Sequence, residues 1–258
     1  MLEKIRDYLR RFFCNPEPPT VSESVPEVAP SKEERTPEVL QSRRDSDLSA
    51  EAQLAYFMDR YLYANFPTGS AFSTIRRVRN KEEQLSGIDV EFVGTDGRVY
   101  YVDEKAQLYY LNKDLPTFAF ELLFKRGPYD TIGWLCNPTL KTDLYMLIWP
   151  FATQSSCKGI TWDQFTKADC LLIQKQKILK MLANKGLTVE RMQADAKDIR
   201  KSRQTGKIPI SGLKGIYYYS SNPNQYREAP INIVISKAIL MDLAQRRYIV
   251  TPENIITQ

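Results

Sequence analysis

The chain has 258 residues, a formal net charge of +5 and 43% hydrophobic residues, enough to bury one good core and a small second lobe. Histidine is absent. That excludes Ser-His and Cys-His nucleophile systems, histidine general bases and His-ligated zinc, so any catalysis runs on carboxylates, lysine, tyrosine, hydroxyls or a bound metal.

Residues 2–13 read as an amphipathic helix with Leu2, Ile5, Leu9 and Phe12 on one stripe and Lys4, Arg6, Arg10 and Arg11 opposite. Residues 1–14 are expected to dock on a protein or a membrane surface. Residues 15–48, rich in Pro, Glu, Ser and Val, read as a disordered linker, because they bury too little apolar surface to offset ordering entropy. No apolar run approaches the ~20 residues of a membrane-spanning helix. No secretory start is recognisable, and Cys14, Cys136, Cys157 and Cys170 match no zinc or redox spacing. A cytoplasmic protein with reduced thiols is expected.

Order is expected from about Ser49. A helix follows, with Leu54, Phe57, Met58, Tyr61 and Leu62 as its apolar face, ended by Pro67 and Gly69. Residues 71–80 and 87–94 read as strands, and Gly94, Asp96 and Gly97 as a hairpin turn into a third strand at 98–111. FAFELLFK at 118–125 reads as a helix, and the almost wholly apolar 142–152 as a buried central strand. Beyond it, DCLLIQ (169–174) and NIVIS (232–236) each read as a strand leading into a helix. Gly186 is the expected end of one helix and Thr188 the expected cap of the next. Tyr217, Tyr218 and Tyr219 begin another strand.

Two short motifs carry chemistry: Gly87-Ile88-Asp89 on the second strand and Asp103-Glu104-Lys105 on the third. Alternate strand residues face the same side, so Asp103, Lys105 and Gln107 are expected on one face and Glu104 on the other. A tight turn brings Asp89 to the face of Asp103. Two converging carboxylates repel unless a cation lies between them, and oxygen-only ligation suits Mg²⁺ or Mn²⁺.

In this order of elements and motifs, residues 49–152 resemble the PD-(D/E)XK, or restriction-endonuclease-like, nuclease superfamily. The resemblance implies an α/β fold with an αβββαβ core, to which residues 153–258 add a C-terminal α/β extension, as a separate lobe or as part of the same globule. It implies a Mg²⁺-dependent (or Mn²⁺-dependent) endonuclease-type hydrolase acting on nucleic acid, DNA before RNA. Asp89 and Asp103 would hold metal and Lys105 would assist the attacking water. Glu51, early in the first helix, resembles an auxiliary acidic metal ligand of many members, and Gln107 a polar residue that follows the motif. The chain departs from the pattern in Ile88, where many members have proline, and in Asp103, where glutamate is more usual.

Lys197, Arg200, Lys201 and Arg203, with Lys207, follow two helices joined at LANKGLT. They read either as phosphate-binding groups of a helix-turn-helix-like DNA reader or as a solvated helix end. Trp134, Trp149, Tyr109 and Tyr110 read as core or rim. A non-catalytic nucleic-acid-binding or adaptor protein on the same fold stays open beside the nuclease. The sequence leaves the oligomeric state undetermined.

Overall fold

The computed structural model describes residues 49–66, 71–224 and 228–258. The helix expected over 1–14, the linker over 15–48 and the helix stop at Pro67 and Gly69 lie outside the described residues.

Helix α1 spans 49–58 and continues as a π-helical turn, Asp59–Tyr63. Its stripe of Leu54, Phe57, Met58 and Leu62 is fully buried, as the periodicity predicts. Each such side chain contributes about 1.5–3 kcal/mol. Strand β1 (Phe72–Arg77), the short helix α2 (Lys81–Leu85), β2 (Val90–Gly94) and β3 (Val99–Ala106) follow. The β2–β3 turn closes as expected, with the Arg98 N–H donating to Asp96 Oδ1 at 3.0 Å.

Residues 118–125 overturn the expectation of a helix. They lie in strand β4 (Thr117–Arg126), which pairs with β5 (Tyr129–Ile132) on one edge and with β10 (Ile231–Ser236) on the other. An eight-residue apolar run does not by itself distinguish helix from strand. Here three phenylalanines and two ready ladder partners favour the pleated state. The crossover from β3 to β6 (Leu144–Ala152) is therefore made by a strand pair, and β3 and β6 themselves lie parallel.

The remaining elements are β7 (Phe165–Gln174), α3 (Lys175–Ala183), α4 (Val189–Ser202), β8 (Gly206–Pro209), β9 (Ile216–Ser220), α5 (Lys237–Leu243), β11 (Arg246–Val250) and β12 (Ile255–Thr257). Between α3 and α4 the Leu187 N–H reaches Leu182 O and the Gly186 N–H reaches Ala183 O, a Schellman ending around Gly186 at φ +81°. Thr188 Oγ1 accepts from the Arg191 N–H at 3.2 Å, the expected cap.

The strands form a seven-stranded sheet, ordered β1-β2-β3-β6-β7-β11-β12, and a five-stranded sheet, ordered β5-β4-β10-β9-β8. Helix α1 covers one face of the larger sheet, packing on Val90, Phe92, Val102, Met146 and Ile148. The other face, through Tyr145, Leu147, Trp149, Leu171 and Ile173, meets Phe118, Phe120 and Trp134 and the apolar sides of α3–α5. Strand β6 is apolar throughout because both its faces are buried. The boundary expected at 152/153 does not separate two bodies. Residues on either side of it share both sheets, through β6 with β7 and β4 with β10.

Candidate active site

The ladder between β2 and β3 pairs Val90 with Val102 and Glu91 with Tyr101. One further step places Asp89 beside Asp103, where the Asp89 N–H donates to Val102 O at 2.9 Å. Asp89 Oδ2 accepts from the Glu104 N–H at 3.0 Å, so a side chain takes over the ladder as β2 begins. Asp103 and Lys105 share the face that looks toward the second sheet, in register with Tyr145 and Leu147 of β6. The Lys105 ammonium donates to Asp103 Oδ1 and stands 5.4 Å from the Trp134 ring centroid. Asp89, Asp103 and Lys105 are 8%, 3% and 6% exposed.

Glu104 turns to the opposite face, as alternation predicts. It accepts from Tyr63 Oη at 2.6 Å and from both terminal nitrogens of Arg77. The Arg77 Nε donates in turn to Asp59 at 2.8 Å. This network ties the π turn of α1 to β1 and β3.

Gln107 does not join the line of Asp103 and Lys105. Strand β3 stops at Ala106, and Gln107, at φ −92° and ψ 60°, begins a 3-10 turn, Leu108–Tyr110. Its amide nitrogen donates to Thr117 O at 2.9 Å, which anchors the start of β4 instead. Glu51 lines a cleft of about 280 Å³ together with Asp59, Arg77, Arg79, Gln84, Asp89, Glu104 and Lys105.

Burial lifts the Asp103 carboxyl to about 7, and the neighbouring Asp89 adds to the lift against the pull of Lys105. Two acidic side chains thus crowd one buried spot. The sequence reading missed three ionisable groups that stand with them. Glu121 of β4 is fully buried, with the backbone of Trp134 and the Lys105 ammonium as the groups that favour its charged form. Burial pushes it well above the carboxylate range, though Lys105 opposes this. Burial also lowers the Lys175 ammonium, which Asp103 partly restores, and raises the Tyr145 hydroxyl, which Asp103 raises further. A single acid within the aromatic run FAFELLFK was the available signal for Glu121. Read as a strand, the run puts Glu121 on the face of Ala119, opposite Phe118 and Phe120.

Among the described residues no three His, Cys, Asp or Glu side chains cluster closely enough to hold a metal ion. Mg²⁺, however, is commonly held by one or two carboxylates, with water and substrate oxygens completing its shell. The adjacent carboxyls of Asp89 and Asp103 are the pair that could meet that requirement, with Lys105 the cation that faces Asp103 in this structure. Glu51 shares the cleft without making a third member of such a cluster.

The basic group at 197–203 is elsewhere. Helix α4 packs Met192, Ala196 and Ile199 toward β4 and β10, on the side of the larger sheet away from α1. Lys197, Lys201 and Arg203 are exposed, and Arg200 pairs with Asp130 at 3.4 Å. Trp134, Trp149 and Tyr110 are buried, and Tyr109 is exposed. Cys136, Cys157 and Cys170 are buried thiols.

Comparison with protein-family models, with curated proteins and with solved structures finds no match to this chain. Among the described residues no helix is long and apolar enough to cross a membrane.

Proposed function

We propose that this protein is a metal-dependent nuclease that hydrolyses phosphodiester bonds in DNA, with a divergent restriction-endonuclease-like core. The observation that carries the reading is the register of β2 on β3, which sets Asp89 beside Asp103 with Lys105 next on the same face. Order adds support: a helix, three antiparallel strands, and a later strand parallel to the third. The strand pair in place of the crossover helix is the chief departure.

The charges that line the cleft favour a cation. Glu51, Asp59, Asp89 and Glu104 face three basic groups, Arg77, Arg79 and Lys105, so a phosphodiester approaching alone meets a net negative surface. Asp89 and Asp103 would hold Mg²⁺ or Mn²⁺, which polarises a phosphoryl oxygen and lowers the pKa of a bound water. The protein's own groups do the rest. The Glu104 N–H fixes one oxygen of Asp89. Asp103 holds the Lys105 ammonium in an ion pair, and that charge would stabilise the phosphorane as it forms. Arg79, exposed at the rim, can meet a flanking phosphate.

The second reading, a non-catalytic nucleic-acid-binding or adaptor protein, is favoured by one observation. The Asp103–Lys105 pair is buried and already satisfied as an internal ion pair. Cleavage of DNA and RNA with Mg²⁺ or Mn²⁺, beside Asp103→Ala and Lys105→Ala, separates the two. Metal-dependent cutting lost in both variants supports the nuclease. Nucleic-acid binding that survives chelation, with no cutting, supports the second reading.

A further inference from the structure

The cleft does not end at its carboxylates. Tyr56 of α1 forms part of its wall, yet 49% of that residue is exposed. Its ring lies 5.1 Å from that of Trp162, tilted by 53°, and Tyr61 is a further neighbour of the indole at 6.4 Å. The Arg60 guanidinium sits 5.1 Å over the Trp162 ring. The turn that carries Trp162 is fixed by hydrogen bonds. The backbone N–H of Trp162 donates to Gln53 Oε1 at 2.9 Å, and Thr161 and Gln164 close a capping box around the 3-10 turn Trp162–Gln164. The turn is thereby fastened to the helix that carries Glu51 and Tyr56.

We infer that Tyr56, backed by Trp162 and Arg60, is a stacking platform for an unpaired base of the nucleic acid whose phosphate enters the cleft. The inference rests on the proposed nuclease reading and specifies its substrate as single-stranded at the site. Three features fit a nucleotide in particular. An aromatic side chain, Tyr56, is half exposed at the rim. A guanidinium stacked on the neighbouring indole adds positive charge beside it. Arg79 lines the same cleft as Tyr56 and can meet a phosphate of the same strand. Every base offers a π face, so this platform is expected to bind without strong sequence preference. A continuous duplex cannot use it, because its bases are already stacked on one another.

Tryptophan fluorescence tests this directly on the full chain. Of the three tryptophans, Trp134 and Trp149 are buried and Trp162 is partly exposed. Oligo(dT) added with Ca²⁺ in place of Mg²⁺ should quench the emission saturably, and Trp162→Phe should remove that response. Labelled oligo(dT) followed by polarisation should bind Tyr56→Ala about tenfold more weakly than the parent, within the range expected for losing one base–aromatic contact. A strand with abasic sites should bind the parent as weakly as oligo(dT) binds Tyr56→Ala. Equal binding of the abasic and intact strands by the parent would overturn the platform and leave the nuclease reading standing. No binding of either strand would overturn both.

Discussion

Asp89 Oδ2 accepts a 3.0 Å hydrogen bond from the backbone N–H of Glu104, so the acid contributed by β2 is tied to the strand that carries Asp103 and Lys105. Asp89 therefore has a structural duty beside its proposed catalytic one, and substitution can separate them. Asp89→Ala leaves a partly buried N–H unsatisfied, at a cost of about 1–3 kcal/mol. Asp89→Asn keeps an acceptor oxygen but loses the charge. The expected outcome is a melting temperature near the parent's for Asp89→Asn and a lower one for Asp89→Ala, with cleavage lost in both. Full activity in a folded Asp89→Asn protein would remove Asp89 from the chemistry.

Asp103 makes stability depend on pH in a defined direction. Its carboxyl is raised in the folded chain from 3.8 to about 7. The folded state thus keeps a proton that the unfolded chain releases. The resulting stabilisation is complete below about pH 4 and is lost as pH rises through 7, an effect of about 4 kcal/mol. Asp169 acts in the opposite sense and outside this window. Burial would raise it, but bonds from Arg247 and Lys237 carry it below 3.8. In chelator, the melting temperature should fall between pH 5 and 8, and Asp103→Asn should flatten that fall. Mg²⁺ added at pH 8 should raise the melting temperature of the parent and not of Asp103→Asn.

Arg77 joins Glu104 to Asp59 across three elements. Arg77→Met should destabilise the chain by about 3–5 kcal/mol, because it leaves a partly buried Glu104 without its cation. Adding Glu104→Gln should recover part of the loss. Chemical denaturation of the single and double variants measures the coupling, and strictly additive losses would show that the pair is not a unit.

Gly133 packs against β4 so closely that a Cβ there would lie 2.4 Å from the carbonyl carbon and oxygen of Glu121. The obstacle is main chain, which cannot swing aside. Gly133→Ala should cost about 1–3 kcal/mol and displace the strand bearing Glu121. A melting temperature equal to the parent's would contradict this packing.

Much of this arrangement was legible from local pattern. The buried stripe of α1, the β2–β3 hairpin, the central apolar β6 and the opposed faces of Glu104 and Lys105 follow from periods of 3.6 and 2. What failed was decided at long range. Residues 118–125 are strand because residues 231–236 pair with them, and nothing within the octet announces that partner. Gln107 left the expected face because the strand ended one residue before it. Glu121, Lys175 and Tyr145 gather near Asp103 only after the second sheet and α3 are in place. Tyr56 and Trp162 are 106 positions apart, so their contact is invisible to any local window.

The pairing of β4 with β10 has a consequence for synthesis. A chain emerging from the ribosome has Asp89, Asp103 and Lys105 in hand well before β10 is made. Until residues 231–236 are available, β4 presents an open edge, and the wall that buries Lys105 is not closed. A half-made molecule thus carries the acidic residues without the dry surroundings that set their properties. The surroundings of Asp103 and Lys105 are thus completed by a strand that lies far downstream of them in the chain.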